Sequence, residues 1–294
     1  MSESLIDNLV DRLKEQFNGK ILDWQEQQIG QQTVVFRTES IQSGSGTLFY
    51  RAAGDWQIQT PIFFLHGWGI STEPYQEVLS LFARDYPIVA PDLPSFARSS
   101  DSQLFTSYRS FADRLIELLD LLGLPSVHLV GHSLGGGISI WLAAHYPDRV
   151  KSLTLIDSTG VPSGSVPEVL FRRTIEMPLQ ISLPKLKLQF VDIPQVFGTN
   201  LLTNLPNVVS ALLISLMEDE TSFLSRIQAP TLVLWSQKDL TTLPPCAETM
   251  TALIPNSRRV FVEEGYHEWG LLYPEKMTAI VLDFVRSVMA TQAG

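Results

Sequence analysis

The stretch VGHSLGGG, residues 130–137, places one serine among glycines at the junction of two different sequence patterns. The apolar run 127–130 comes before it, and the helix-like stretch 138–144 follows it. A strand, a sharp turn and a helix form a nucleophile elbow when the turn lifts a serine hydroxyl clear of the backbone. Gly131 and Gly135 leave room for such a turn, and the helix start offers free N–H groups to developing negative charge. The stretch predicts that Ser133 is a nucleophile, with a glycine-rich turn without chemistry as the alternative.

Short apolar runs surround this junction on both sides and alternate with amphipathic helical patterns. Continuously apolar strands of this length are typical of a parallel sheet that helices cover on both faces. Segments 21–27, 32–40 and 46–54 show clustered or alternating apolar residues between turn residues, which predicts leading antiparallel strands. The sequence therefore indicates an α/β fold, with predicted parallel strands at 61–65, 86–90, 127–130, 152–156, 231–235 and 258–262.

One long interruption divides this alternation. Residues 1–157 are predicted to form the first part of the core, in which 1–30 hold an amphipathic N-terminal helix and a lead-in strand. Residues 158–228 are predicted to form a helical cap, since 161–228 contain several prolines and scattered apolar residues but no strand run. Five basic and six acidic side chains nearly cancel within 161–228. Residues 229–294 complete the core.

A serine hydroxyl becomes nucleophilic when a base takes its proton, and the chain holds five histidines. His267 follows the last predicted strand, at the sheet edge where open parallel sheets build their sites. His128 lies within a strand, His132 within the elbow and His145 at a helix end, so structural roles are expected for these three. His66 follows strand 61–65 and is expected to shape a loop.

The base in turn needs a carboxylate that fixes its tautomer. Asp239 follows strand 231–235 and gives the chain order serine, aspartate, histidine that this geometry has. Asp157 ends strand 152–156 at the same sheet edge and is the rival for the role. We expect Asp239 to orient His267.

Two backbone N–H groups are needed to hold the oxyanion of a tetrahedral intermediate. The amide of Leu134, at the start of the helix, is the first candidate. The second is the amide of Trp68 in the loop HGWG after strand 61–65. His66, Gly67 and His132 belong to the same two loops and are predicted to line the substrate site.

Five of these motifs together resemble the α/β-hydrolase superfamily, over about residues 45–290. The resemblance implies an eight-stranded, mostly parallel sheet with a cap inserted after the sixth strand. Ser95 and Ala97 depart from it, because the family usually has glycine at both positions. Ser133 disfavours the branches that use an aspartate nucleophile. The motifs are LHGWG, PDLPSFARSS, GHSLGGG, WSQKD and GYHEWGLLYPEKM.

These residues predict a serine hydrolase of carboxylic esters that works through an acyl-enzyme and without a cofactor. No histidine or carboxylate pair has metal-ligand spacing, so no metal is expected. The nearly neutral, apolar cap favours a small lipophilic ester as substrate. Thioester hydrolysis, carbon–carbon bond hydrolysis and acyl transfer remain alternatives on the same residues, and a receptor or scaffold is the non-enzymatic alternative.

Composition limits the partners and the compartment. Lys and Arg number 21 against 31 Asp and Glu, a net charge of −10, which disfavours nucleic acid and anionic membranes as partners. The single cysteine, Cys246, excludes an intramolecular disulfide, and the first residues lack a secretory pattern, so a cytoplasmic location is expected. The apolar segment 201–217 contains two Asn and a Pro and is expected to be a buried or cap helix, not a membrane span. The oligomeric state is not readable from the sequence.

Overall fold

A computed structural model describes residues 34–181 and 189–293. The unit Phe36–Gly294 contains every element named below. The predicted N-terminal helix and the strand predicted at 21–27 lie outside the described residues. The chain enters through a hairpin of β1 (Arg37–Ser43) and β2 (Gly46–Ala53), in which Ser43 pairs with Gly46 across a two-residue turn. Gly44 in this turn has φ +37°, as a tight hairpin turn requires.

The sheet has the order β1-β2-β4-β3-β6-β7-β8-β9. The pairs from β4 to β9 are parallel, whereas β1–β2 and β2–β4 are antiparallel. Eight strands therefore follow the main path, and the two-residue β5 adds a short ninth beside β2. The remaining strands are β3 (Ile62–Leu65), β4 (Ile88–Pro91), β5 (Ser100–Asp101), β6 (Val127–His132), β7 (Val150–Ile156), β8 (Thr231–Ser236) and β9 (Ser257–Val262).

The six predicted parallel strands lie within two residues of the observed ones, whereas the strand predicted at 32–40 is displaced, since β1 covers Arg37–Ser43. Burial differs at one of the parallel strands. Strands β3, β4, β6 and β8 are buried along their whole length. Strand β9 is not, because it forms the sheet edge and exposes Arg258 and Arg259. The expectation of burial on both faces is therefore wrong for this strand.

Helices flank the sheet, and α1 packs with α8 while α2 packs with α3. Helix α2 shows how the sequence fixes its ends: Ser107 and Ser110 form a reciprocal capping box, and Gly123 beyond its end has φ +65°. The helices are α1 (Gln76–Phe82), α2 (Tyr108–Leu121), α3 (Leu134–His145), α4 (Val166–Ile181), α5 (Gln189–Met217), α6 (Pro244–Leu253), α7 (Trp269–Leu272) and α8 (Pro274–Ala293).

Helices α4 and α5 lie between β7 and β8, inside the region predicted as the cap. Strand β7 is the sixth strand of the main path in chain order, because β5 lies off that path. Helix α5 changes direction at Asn204, whose φ of −151° is not helical. We call α4, α5 and the following 3₁₀ helix Thr221–Arg226 the cap helices.

One part of α5, Ile193–Met217, is long and apolar enough to cross a membrane by length and composition. In the structure its residues Val208, Ala211 and Ile214 are buried in the same hydrophobic core as the sheet. Segment 201–217 thus contributes to this core from the region between β7 and β8.

Candidate active site

Ser133 lies between the end of β6 and the start of α3. Its φ of +53° is in the left-handed region, which costs a non-glycine residue about 1–3 kcal/mol. The flanking glycines allow this turn by close approach: a Cβ on Gly131 would lie 2.4 Å from the carbonyl oxygen of Gly135. A Cβ on Gly135 would lie 2.4 Å from the carbonyl oxygen of Leu65. The sequence around Ser133 thus folds into the strained strand-to-helix turn of a nucleophile elbow.

Three side chains from separate loops meet in one hydrogen-bonded chain. Ser133 Oγ lies 2.9 Å from His267 Nε2, and His267 Nδ1 lies 2.8 Å from Asp239 Oδ2. All three residues are buried, with 8% of Ser133 exposed. His267 can donate from Nδ1 to the carboxylate and accept the serine proton at Nε2, which is the arrangement that activates a serine.

Asp239 is held by the turn that follows β8. Its Oδ1 accepts hydrogen bonds from the backbone N–H groups of Thr241 and Thr242, each at 2.8 Å. Its Oδ2 accepts from the Thr242 hydroxyl at 2.7 Å besides its bond to His267. These donors fix the carboxylate in the orientation that the imidazole needs.

Asp157, the rival carboxylate, has different partners. Its Oδ1 accepts from the backbone N–H of Ser236 at 2.9 Å, and its Oδ2 accepts from Trp269 Nε1 at 2.6 Å. Burial and the neighbouring charge of Asp239 hold the pKa of Asp157 well above its usual range. Asp157 thus contacts Ser236 and Trp269, while Asp239 contacts the imidazole.

The pKa of His267 reflects two opposing influences. Burial lowers it, but the charge and hydrogen bond of Asp239 and the charge of Glu268 outweigh burial and raise the pKa above its usual value. The surroundings of His267 therefore favour its protonated, imidazolium form.

The loop after β3 approaches the serine closely. A Cβ on Gly67 would lie 3.2 Å from His132 Nδ1 and 3.4 Å from Ser133 Cβ, so the backbone of this loop runs beside the serine. Trp68 follows, and its Nε1 donates to the carbonyl oxygen of Val208 on α5 at 2.8 Å. The backbone of this loop and the start of α3 at Leu134 thus flank Ser133, where an oxyanion would form.

Comparison with known proteins agrees with this geometry. The model of the α/β-hydrolase fold family matches residues 60–181. Lipase 1 of Psychrobacter immobilis is 30% identical over 226 residues, which cover 70% of this chain and 71% of that protein. The chain belongs to the α/β-hydrolase superfamily.

Two further similarities concern activity and fold. A pimeloyl-[acyl-carrier protein] methyl ester esterase of Neisseria meningitidis is 26% identical over 79% of each chain. The crystal structure of a bacterial membrane phospholipase A, at 23% identity, matches with a TM-score of 0.76 over 97% of each chain and shows the same fold. This α/β-hydrolase is a carboxylic ester hydrolase that acts on small-molecule esters. The ester-hydrolase assignment does not need the alternatives of thioester hydrolysis, carbon–carbon bond hydrolysis, acyl transfer or a receptor role.

Two histidines of the hydrolase have structural contacts that argue against the predicted substrate-binding role. His66 is fully buried, with Nδ1 2.8 Å from the carbonyl oxygen of Gly67 and Nε2 accepting from the N–H of Leu93 at 2.8 Å. His132 has Nδ1 2.7 Å from the Tyr75 hydroxyl and Nε2 3.0 Å from the carbonyl oxygen of His267. Both rings use their two nitrogens within the protein, so His66 shapes the loop and His132 supports the histidine turn.

The remaining two histidines of the hydrolase also contact neighbouring protein groups. His128 Nδ1 lies 2.8 Å from the Ser152 hydroxyl, and His145 Nδ1 lies 3.0 Å from the carbonyl oxygen of Trp141. These contacts are structural, as the sequence predicts for both residues.

Cap helix α5 of the hydrolase also contacts the loop after β4. In this loop the sequence departs from the family pattern. Ser95 and Ala97 have φ of +67° and +49°, a region that glycine occupies at less cost. Asn204 donates to the carbonyl oxygen of Ser95 at 2.7 Å, and Asn200 accepts from the N–H of Ala97 at 2.6 Å. Asn200 also donates to the carbonyl oxygen of Gly69 beside Trp68, at 3.0 Å. Two asparagines of α5 therefore connect this strained loop and the loop after β3 to the cap.

A cavity of about 380 Å³ lies between this loop and α5. Five of its seven lining residues are of polar or charged types, and Ser133 is not among the described residues that form it. The cavity is therefore separate from the space beside Ser133. Its lining is Ser71, Glu73, Ala97, Arg98, Gln195, Val196 and Thr199.

Sequence reasoning missed the charged residues that connect α4 to the site. Glu176 of α4 contacts the turns that carry Asp239 and His267. Arg173, on the same helix, contacts both Glu176 and Glu268. In the sequence they are part of a nearly neutral set of cap charges. The one sequence signal for these contacts is the spacing of three between Arg173 and Glu176, which puts opposite charges on one helix face. That spacing is equally common on solvated faces.

Proposed function

We propose that Ser133, His267 and Asp239 carry out ester hydrolysis through an acyl-enzyme. The observation that supports this most is the hydrogen-bonded chain Ser133 Oγ, His267 Nε2 and Nδ1, Asp239 Oδ2, at 2.9 and 2.8 Å, on a strained elbow. Ser133 Oγ attacks the carbonyl carbon while its proton moves to His267 Nε2. Asp239 accepts a hydrogen bond from Nδ1–H and stabilises the imidazolium.

Backbone N–H groups stabilise the negative charge on the oxygen of the tetrahedral intermediate. We assign the N–H groups of Leu134 and Trp68 to this role, which is worth about 3 kcal/mol for a donor in other enzymes. When the intermediate collapses, the C–O bond to the alcohol breaks and His267 gives its proton to the leaving oxygen. A water then loses a proton to His267 and attacks the acyl carbon, which releases the acid and restores the Ser133 hydroxyl.

A lipophilic acyl group is the substrate class that we propose. Apolar side chains of the two long cap helices are exposed, which is unusual for a protein surface and typical of a site that meets apolar ligands. The names of the two curated relatives point the same way, since one is a lipase and the other hydrolyses the methyl ester of a carrier-bound acyl chain. The exposed residues are Leu170, Phe171, Ile175, Met177 and Leu179 on α4 and Leu202, Leu205, Val209, Leu213 and Met217 on α5.

Labelling with a fluorophosphonate tests the mechanism, because the reagent phosphonylates a serine only when a base activates it. We expect one equivalent on Ser133, located by peptide mass spectrometry, and none in Ser133→Ala. Labelling at another residue, or none in the wild type, would remove the proposed mechanism.

A cytoplasmic location is proposed on the single cysteine, Cys246, and the acidic charge. Fractionation of cells that express the native gene, followed by an activity assay of each fraction, tests it.

A further inference from the structure

Glu176 lies on cap helix α4 but has its carboxylate at the proposed catalytic centre. The residue is fully buried. Its Oε1 accepts hydrogen bonds from the backbone N–H of Leu240, at 2.8 Å, and from that of His267, at 3.2 Å. Its Oε2 accepts from the Thr241 hydroxyl and from Arg173 Nη1. One carboxylate therefore binds the turn after β8 and the turn after β9 at the same time.

These two turns carry the proposed acid and base. Leu240 is the neighbour of Asp239 in the chain, and the second backbone donor belongs to His267 itself. The distance between the Asp239 carboxylate and the imidazole depends on how the two turns sit relative to each other. A shared acceptor between their backbones restricts that separation, in the way that supporting hydrogen bonds orient reacting groups elsewhere.

Neighbouring charges keep the Glu176 carboxylate in place. Arg173 Nη1 contacts both Glu176 and Glu268, at 3.0 and 3.1 Å, and its Nη2 forms an ion pair with Glu268. A buried carboxylate that has lost its water needs such a partner. Because Glu268 follows His267 in the chain, the Arg173 guanidinium attaches the histidine turn to α4 from a second side.

Two further side chains of α4 bind the same turns. Gln180 accepts from the N–H of Glu268 at 2.9 Å, and Arg172 donates from Nε to the carbonyl oxygen of Leu240 at 2.7 Å. Cap helix α4 thus makes polar contacts with the two turns from four positions, 172, 173, 176 and 180.

We propose that Glu176 is a positioning residue that sets the geometry between Asp239 and His267 from the cap. This rests on the proposed roles of Asp239 and His267. In the alternative, Glu176 anchors the cap and has no effect on the chemical step.

Three substitutions at this position separate the alternatives. Glu176→Leu removes all acceptors, Glu176→Asp keeps the charge but withdraws the carboxylate by one methylene, and Glu176→Gln keeps one oxygen for the two backbone N–H groups. We expect Glu176→Leu and Glu176→Asp to lower kcat for p-nitrophenyl butyrate about 10- to 100-fold, the effect of a misplacement of about 1 Å. KM should stay within about twofold. Glu176→Gln should keep more activity than either.

The rate of fluorophosphonate labelling at Ser133 is the second measurement, since it reports activation of the serine without ester turnover. It should fall by a factor similar to that of kcat. Glu168→Gln is the matched control: Glu168 is an exposed residue of the same helix whose carboxylate accepts from Ser165. That variant should keep the wild-type kcat and labelling rate.

Circular dichroism at the assay temperature identifies the folded variants. If Glu176→Leu does not fold, Glu176→Asp decides. Wild-type kcat and labelling rate in a folded Glu176→Leu or Glu176→Asp would overturn the positioning role. Failure of the wild type to label at Ser133 would instead overturn the proposed function, so the two failures are distinguishable.

Discussion

The sheet and the cap helices use apolar and polar side chains in opposite ways. Strands such as β6 and β8 are mostly apolar and fully buried, and the groups proposed to react follow the ends of strands. The cap helices expose much of their apolar surface and direct polar side chains such as Asn200 and Glu176 at the loops of the core. The side chains of the sheet thus pack by non-directional burial, whereas the cap is attached through directional side-chain hydrogen bonds at the loops that form the site. Apolar contacts through Val208, Ala211 and Ile214 add to this attachment.

This difference assigns the proposed chemistry and the proposed substrate contacts to different regions of the molecule. The groups proposed to react lie on loops at the sheet edge, and the apolar surface proposed to meet the acyl chain belongs to the cap. Variants in the two regions should therefore change different kinetic constants.

The largest effect is expected at the sheet edge. Ser133→Ala and His267→Ala should each reduce kcat by about 10⁶-fold, and the double variant should be little worse, because nucleophile and base act as one unit. Steady-state kinetics on p-nitrophenyl butyrate measure this, with circular dichroism to show that each variant is folded. Independent, multiplying losses would show that the two residues do not share one step.

The carboxylates of Asp239 and Asp157 provide the next test. Asp239→Asn should lower kcat by about 10⁴-fold, since an amide can favour the wrong imidazole tautomer. Asp157→Asn should leave kcat within a few fold and mainly change the thermal midpoint, because the Asp157 carboxyl contacts Ser236 and Trp269, whereas Asp239 contacts the imidazole. The reverse ranking would transfer the acid role to Asp157.

Acyl chain length tests the contribution of the cap. Each methylene that leaves water gains up to about 0.8 kcal/mol, nearly fourfold in affinity. We expect kcat/KM for p-nitrophenyl esters to rise from acetate to medium chains and then to level or fall. Phe171→Ser, at a cap residue that is 67% exposed, should reduce kcat/KM for the longer esters and leave acetate unchanged. A decline from acetate onward would contradict the lipophilic substrate.

The smallest effect concerns the pH dependence. His267 must be neutral to accept the serine proton, so activity falls as pH drops through its pKa. The charged and titratable groups that act on His267 are Asp239, Glu268, Arg173 and His132.

Glu268→Gln removes a negative charge that raises the pKa of His267 and leaves the positive Arg173, which lowers it. The acidic limb of kcat/KM should therefore move to lower pH. A pH–rate profile measures the shift, with the exposed Glu263→Gln as a control that keeps the wild-type limb. Movement to higher pH would contradict the electrostatic role of Glu268.

The local sequence pattern was sufficient to predict the sheet and the elbow. The buried strands are runs of consecutive apolar residues, and Gly131, Ser133 and Gly135 have the spacing that a strand-to-helix turn needs. Chain order also singled out Asp239, although Asp157 ends a neighbouring strand at the same sheet edge. For the core, each local feature agrees with the fold, which is why sequence reasoning reached it.

The contacts of the cap could not be predicted in this way. Glu176 is 64 residues from Leu240 and 91 from His267, and no periodicity relates residues so far apart. Its charge is averaged with those of exposed side chains, so the sequence predicts only that the cap is nearly neutral. The bend at Asn204 is likewise set by contacts, since this asparagine bonds the strained loop at Ser95.

The bonds that Asn200 and Glu176 make have a consequence for engineering by chimera. A cap that only covered the site could be exchanged between related enzymes as a cassette, with the graft points chosen at β7 and β8. Here the incoming segment would also have to bring an amide to the Gly69 and Ala97 backbones and a carboxylate to the His267 and Leu240 amides. Substrate range and catalytic competence are therefore inherited together in this protein, and a useful library would vary the exposed apolar positions of α4 and α5 while it keeps these two residues fixed.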